Sequence, residues 1–244
     1  LTLPNLTSLI NNSAVNVILA VGLLVVLIAG GIDISFAVAA SVVQYLTAKV
    51  VLAFGGGNWA LGLVTAALIG TGLGLINAAL IHRFRIISIV ITIATFNAFF
   101  GLLMYFTRGV SIYDLPDWWR ARIFIFEYQR ADRSWVDLNL SVGIMLVCVV
   151  STWALLRHTT AGRQLFAFGD NPEGARRAGV NIWFMQALAF GWCGMMAGIA
   201  GLAVWITTLI LKSDKLKGKV VEVFEAFKGL WEPLKTAFSG IKES

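Results

Sequence analysis

Charge is what this sequence has least of. Asp, Glu, Lys and Arg supply 13% of 244 residues, hydrophobic types supply 58%, and mean hydropathy is +0.81. A soluble domain carries roughly 25% charge, and half that share cannot cover a water-facing surface. Cysteine is also sparse. Cys148 and Cys193 both sit in apolar runs, which excludes a disulfide framework and leaves small packing residues. Histidine is limited to His82 and His158, each beside loop arginines, with no metal-ligand spacing and no nucleophile–base pattern. No catalytic residue, metal or bound cofactor is therefore expected. No Gly-x-x-x-x-Gly-Lys-[Ser/Thr] run occurs, so nucleotide chemistry would have to reside on another subunit. The start carries no basic n-region, so no signal peptide is expected. The net charge of +6 comes from short basic clusters between apolar stretches, the pattern of membrane loops and not of a nucleic-acid surface.

What is abundant is uninterrupted apolar sequence. A spanning helix needs about 20 such residues, and six stretches qualify: Ala14–Gly30, Phe36–Phe54, Trp59–Ile81, Ile87–Phe106, Leu138–Leu156 and Trp183–Leu211. The last is too long for an upright helix, so it is expected to be tilted, kinked or only partly embedded. The fold class is thus all-α, a polytopic transmembrane helix bundle occupying residues 1–211 of a multi-pass membrane protein. His82, Arg83 and Arg85 mark one cytoplasmic link, and Arg157, Arg163, Arg176 and Arg177 mark a second, over 157–182. The two spans between them keep the parity consistent. Residues 107–137 are then extracytoplasmic, with Trp118, Trp119 and Trp135 suited to headgroup level. The first residues fall outside by the same count, which suggests a preceding span. From Lys212, Val220, Phe224, Phe227, Trp231, Leu234, Phe238 and Ile241 repeat at alternating spacings of four and three, giving an amphipathic Lys-rich tail over 212–244, interrupted by Pro233.

Three features carry chemistry or mechanics. In Gly30-Gly31-Ile32-Asp33-Ile34-Ser35, two glycines permit a sharp turn. Asp33 is the sole acid in the first hundred residues. A carboxylate at the edge of a span is either functional or, with Ser35, a cap for the next helix, and the two roles are compatible. Ala66, Gly70, Gly74 and Ala78 form a stripe of small residues suited to close helix packing. Asn77 on that span, and Thr92, Thr95 and Asn97 on the next, either bond a neighbouring helix or face a water-filled pathway. Finally, 169–179 reads as a short capped helix. Asn171 is its N-cap, Pro172 its first residue, Glu173 complements its positive end, Arg176 and Arg177 its negative end, and Gly179 its left-handed stop. Such a helix suits either a plain link between spans or docking into a partner's groove.

These residues resemble a family. Gly30 to Ser35 is similar to the Gly-Ile-Asp-Leu-Ser signature of bacterial ABC-importer permeases for ribose, xylose, autoinducer-2 and related solutes. Thr160-Ala161-Gly162-Arg163 through Gly179-Val180-Asn181 resembles their cytoplasmic coupling loop, with Gly174 where Ala is usual. Leu75 to Ile81 is similar to their Gly-x-Ile-Asn-Gly-x-Leu segment. The resemblance covers roughly residues 4–204. It implies two permease subunits forming a pathway through the bilayer, with two ABC ATPase subunits docked on the loop helix and an extracytoplasmic solute-binding protein delivering a monosaccharide. ATP would bind the partner alone. The implied coupling residues are Asp170, Asn171, Pro172, Glu173, Ala175, Arg176, Arg177 and Gly179, and the pathway candidates are Asp33, Ser35, Asn77, Thr92, Thr95 and Asn97. The family carries a further span before position 1 and more spans beyond about 204, so the expectation is a permease cut at both ends. Two other readings stay open: a secondary transporter or channel, although no internal repeat is found, and a permease fragment that transports nothing.

Overall fold

The computed structural model describes residues 2–110, 112, 115–120, 124–129 and 135–208. The tail expected over 212–244 lies outside the described residues, as do 209–211 of the sixth apolar stretch. Six described helices are long and apolar enough to cross a membrane. They are α1 (Leu3–Ile28), α2 (Phe36–Ala53), α3 (Trp59–Phe84), α4 (Ser88–Thr107), α6 (Leu140–His158) and α9 (Ile182–Thr208), with the short helices α5 (Asp117–Arg120), α7 (Thr160–Asp170) and α8 (Pro172–Arg177) between them. Consecutive long helices run in opposite directions. One end of the bundle therefore carries residues 29–35, 85–87 and 159–181, and the other carries 54–58 and 108–139.

Two boundaries differ from expectation. The first helix starts at Leu3, well ahead of Ala14, because its polar residues share a buried face: Thr7 and Asn11 are 7% and 5% exposed. Asn11 Oδ1 accepts the Asn139 N–H at 3.0 Å, so an amide inside the bundle has a partner. The sixth stretch is one continuous helix, Ile182–Thr208, over the described residues.

The segment 107–137 also holds more structure than a loop. β1 (Phe124–Gln129) and β2 (Trp135–Asn139) pair antiparallel, with a register irregularity between Phe124 and Phe126. The run Phe124-Ile125-Phe126-Glu127-Tyr128 is rich in aromatic and β-branched residues, a strand preference that span counting passes over. Trp119 is not at the surface as expected for a headgroup anchor. It is 1% exposed, stacked on Trp118 at 5.4 Å, and packed with Val43, Val51 and Leu202. Trp118 in turn lies 5.2 Å from Trp59 and donates to the Gly56 carbonyl at 2.7 Å. A three-indole cluster buries more area by packing than by floating at an interface.

The centre of the bundle is α9, which contributes to all three apolar clusters: with α1, α3, α7 and α8 through Met185, Ala189 and Phe190, with α2 and α3 through Leu202, and with α1 and α6 through Met196, Ala200 and Ala203. The small-residue stripe of α3 faces α9 as expected of a packing surface. A Cβ on Gly70 would overlap the Gly194 carbonyl, one on Gly74 the Phe190 carbonyl, and one on Gly198 the Ala66 carbonyl. In lipid, where apolar burial gives helices no preference for each other over acyl chains, this close backbone approach supplies the attraction. Cys148 and Cys193 are free and buried, as expected of packing residues.

Candidate functional site

At the end of the bundle that carries α7 and α8, local chemistry builds the short helix. Asn171 is extended (φ −146, ψ 93), and its Oδ1 accepts the Gly174 N–H at 2.9 Å. Pro172 follows, where its missing N–H leaves no helix bond unmade. At the other end Gly179 takes φ +85, the Val180 N–H donates to the Ala175 carbonyl at 3.0 Å, and the Gly179 N–H donates to Arg176 at 3.1 Å. That pair of bonds is a Schellman closure. A six-residue helix is too short to persist alone in water, so both caps are structural necessities. Asn171→Ala should cost about 1 kcal/mol of local stability. It should appear as faster hydrogen exchange at the Gly174 amide, and Asn171→Asp should restore protection; unchanged exchange in the alanine variant would contradict the cap.

Burial divides the residues of this segment. Ala175 is 5% exposed and packs against the cluster holding Val25, Leu165, Phe168 and Met185, so it anchors the helix to its own bundle and is not available as a partner contact. Asp170, Asn171, Pro172, Glu173, Arg176, Arg177 and Gly179 are exposed. Glu173 accepts from Arg176 Nε at 3.1 Å and Nη2 at 2.8 Å, and from Arg177 Nε at 3.3 Å. Those hydrogen bonds from Arg176 hold the Glu173 carboxyl below the usual carboxylate range and push the Arg176 guanidinium up. The result is a rigid, charged ridge on an apolar foot.

The ridge is keyed to the first turn of the chain. Gly169, one residue before Asp170, lies so close to the end of α1 that a Cβ would overlap the Ile28 carbonyl. Gly30, at φ +75, lies against the Gly169 carbonyl from the other side. Two residues of chain then lead into a buried polar knot. Asp33 Oδ1 accepts from the Ser35 N–H at 2.8 Å and from Ser35 Oγ at 2.7 Å, while Ser35 Oγ accepts from Asn77 Nδ2 on α3 at 2.7 Å. The turn is pinned to α4 as well: the Ile32 N–H donates to Ser88 Oγ at 2.9 Å, and Thr92 Oγ1 donates to the Ile32 carbonyl at 3.3 Å.

Five of the six pathway candidates therefore gather here. Asp33, Ser35, Asn77 and Thr92 are 3%, 1%, 1% and 0% exposed, and Thr95 sits one turn along α4, donating to the Thr92 carbonyl. Asn97 does not join them. It is exposed and its Nδ2 bonds within α4, to Ile93, at 2.9 Å. Of the expected caps on α2, Asp33 does the accepting. Ser35 holds the N-cap position, but its hydroxyl makes no capping bond and serves as the relay to Asn77. Gly169 was included in the short-helix segment without a role of its own, and Ser88 was not singled out from sequence. A glycine inside a helix costs about 1 kcal/mol relative to Ala, so Gly169 was itself a sign of close approach.

At the opposite end a cavity of about 220 Å³ opens between α2 and α4, with Ser41, Gln44, Tyr45, Thr107 and Trp119 among its lining residues. The Trp119 indole nitrogen is buried and has no hydrogen-bond partner among the described residues.

Comparison with known proteins places this architecture. A family model described as the branched-chain amino acid transport system / permease component matches residues 5–221. The autoinducer 2 import system permease protein of Photorhabdus luminescens is 29% identical over 202 residues, 82% of this chain and 58% of that protein. The ribose import permease protein of Escherichia coli K12 is 26% identical over 202 residues, 82% of this chain and 61% of that protein. An autoinducer 2 import system permease protein of Yersinia enterocolitica is 29% identical over 201 residues, 53% of its own length. The chain thus spans between 53% and 61% of these relatives. No solved structure matches it.

Proposed function

This chain belongs to the permease-component family of the branched-chain amino acid transport system, a multi-pass protein of the bacterial inner membrane, and from that premise we propose that it is the membrane-spanning subunit of an ATP-driven importer for a monosaccharide or similar small polar solute. The cargo class rests on the relatives named for ribose and autoinducer 2 import. The hydroxyl- and amide-bearing residues Ser41, Gln44, Tyr45 and Thr107 that line the cavity at the α2–α4 end suit such a polyhydroxylated solute.

The observation that carries the reading is the join between the charged ridge and the buried knot. Glu173, Arg176 and Arg177 are exposed on a doubly capped helix, and Gly169, in the last turn of α7 just before it, rests on the end of α1 and on Gly30, where the turn to Asp33 begins. A push on α8 from an ATPase subunit would reach the Asp33–Ser35–Asn77 knot through backbone contact, with no flexible side chain between. The end that bears α8 is taken as cytoplasmic because it also gathers His82, Arg83, Arg85, Arg157 and Arg163. The solute-binding protein would then meet the end that holds the α2–α4 cavity, and a second permease subunit would complete the pathway.

Reconstitution tests this. Vesicles holding the chain with its ATPase and binding-protein partners should take up labelled ribose on addition of ATP, and the chain alone should hydrolyse none. Glu173→Lys replaces the anion that organises Arg176 and Arg177 and should reduce co-purification of the ATPase about tenfold. Undiminished co-purification would remove α8 as the docking element, and appreciable hydrolysis by the chain alone would end the division of labour.

A further inference from the structure

On the outside of the bundle, α1, α6 and α7 enclose a cavity of about 500 Å³ that takes no part in the join just described. Its walls include Leu24, Val149 and Leu156, and its rim carries Arg157 and Arg163. The mouth is open along the apolar surface: Leu24, Trp153 and Phe166 are 44%, 56% and 51% exposed. Both guanidiniums are exposed, and among the described residues neither has a carboxylate within ion-pair distance, since the two ion pairs there both belong to Glu173. A guanidinium cannot shed its charge. Arg157, in the last turn of α6, is explained in part by the negative end of that helix. Arg163 has no such explanation. It stands in the first turn of α7, where the helix field opposes a cation and where no acidic residue is present.

We propose that this groove binds one anionic phospholipid, its phosphate between Arg157 and Arg163 and an acyl chain along Leu24, Val149 and Leu156. An anion at that place answers both guanidiniums and the positive end of α7 together. An apolar slot beside it, bordered by Trp153, selects a lipid over a free ion. Bound there, the lipid braces α7 against α1 and α6, the joint from which α8 projects. This inference stands apart from the identity of the cargo.

Native mass spectrometry of the full chain, released from detergent micelles with added dioleoyl phosphatidylglycerol or dioleoyl phosphatidylcholine, reads it directly. One phosphatidylglycerol should be retained in preference to phosphatidylcholine. Arg157→Gln with Arg163→Gln should weaken that binding about thirtyfold. Arg83→Gln with Arg85→Gln, which removes two charges from the same end, should leave it unchanged. Because Arg157 and Arg163 are exposed, the double variant should unfold at the wild-type temperature in phosphatidylcholine, and phosphatidylglycerol should raise the midpoint of the wild type alone. The proposal is overturned if phosphatidylcholine is held as tightly, if the two double variants lose binding equally, or if millimolar inorganic phosphate displaces the lipid and gives the same stabilisation.

Discussion

Gly74→Leu is expected to leave no folded bundle to measure. The groups that a side chain at Gly74 would meet are the Phe190 carbonyl and the Gly191 Cα, both main chain of α9. A side chain in the way can rotate aside, but a helix backbone cannot yield without losing its own hydrogen bonds. Overpacking at sites that can adjust costs about 1–3 kcal/mol, and this site cannot adjust except by parting α3 from α9. That separation would undo the central contact, because Gly70 against Gly194 and Ala66 against Gly198 belong to the same seam. The control lies on the same helix: a Cβ at Gly72 meets nothing within 4 Å. Gly72→Ala should therefore hold or slightly raise stability, since Ala is the better helix former by about 1 kcal/mol. Thermal unfolding in detergent, followed by size-exclusion elution, separates the two. Equal tolerance of Gly72→Ala and Gly74→Leu would show that the seam does not hold the bundle together.

Asp33→Leu should be the most damaging change in the polar knot. It removes the acceptor for the Ser35 N–H and the Ser35 hydroxyl at once, and it unsettles the hydroxyl that receives the Asn77 amide. Leaving a buried donor unsatisfied costs about 1–3 kcal/mol each, and Asp33 is 3% exposed, so a loss of about 3 kcal/mol is expected. Asp33→Asn retains one carbonyl oxygen in the same place and should lose roughly half as much. The Asp33→Leu and Asn77→Leu pair should be strongly non-additive, by about 0.5–3 kcal/mol, because both act through Ser35. Unfolding midpoints of the two single variants and the double one provide the measurement, and strict additivity would show that the knot is not one unit. Uptake in reconstituted vesicles should fall with Asp33→Leu even where enough protein folds, because the turn against Gly169 would no longer be held.

The short helix was legible residue by residue. Asn171, Pro172 and Gly179 act through hydrogen bonds and dihedral preferences that span at most a few positions, so their meaning is carried in adjacent sequence. The spans were legible for a related reason: a run of apolar residues states its environment wherever it sits, and their boundaries fell within a few residues except at α1. There the apolar run begins only at Ala14, whereas Asn11 lies inside the helix because it has a partner on β2 that only the folded chain supplies. The expected stripe on α3 was visible, but its counterpart on α9 was read merely as apolar sequence, although Gly191, Gly194, Gly198 and Gly201 stand there. Asn97 was grouped with Thr92 and Thr95 by proximity in sequence, and the helical rotation between them places it on another face.

By itself, then, the order of residues determined that this chain lives in a membrane, that six of its described helices are long and apolar enough to cross one, and that it carries a short charged helix in one connecting segment. Those are consequences of hydropathy and local bonding, which depend on neighbours along the chain. Folding alone decided that Gly169 rests on the end of α1, that Asp33 reaches Asn77 through Ser35, that Ala175 turns inward while Glu173 turns outward, and that Arg157 and Arg163 share one groove. Each of these joins residues distant in sequence through close packing. Packing depends on which helix faces lie together, a property that no single segment contains.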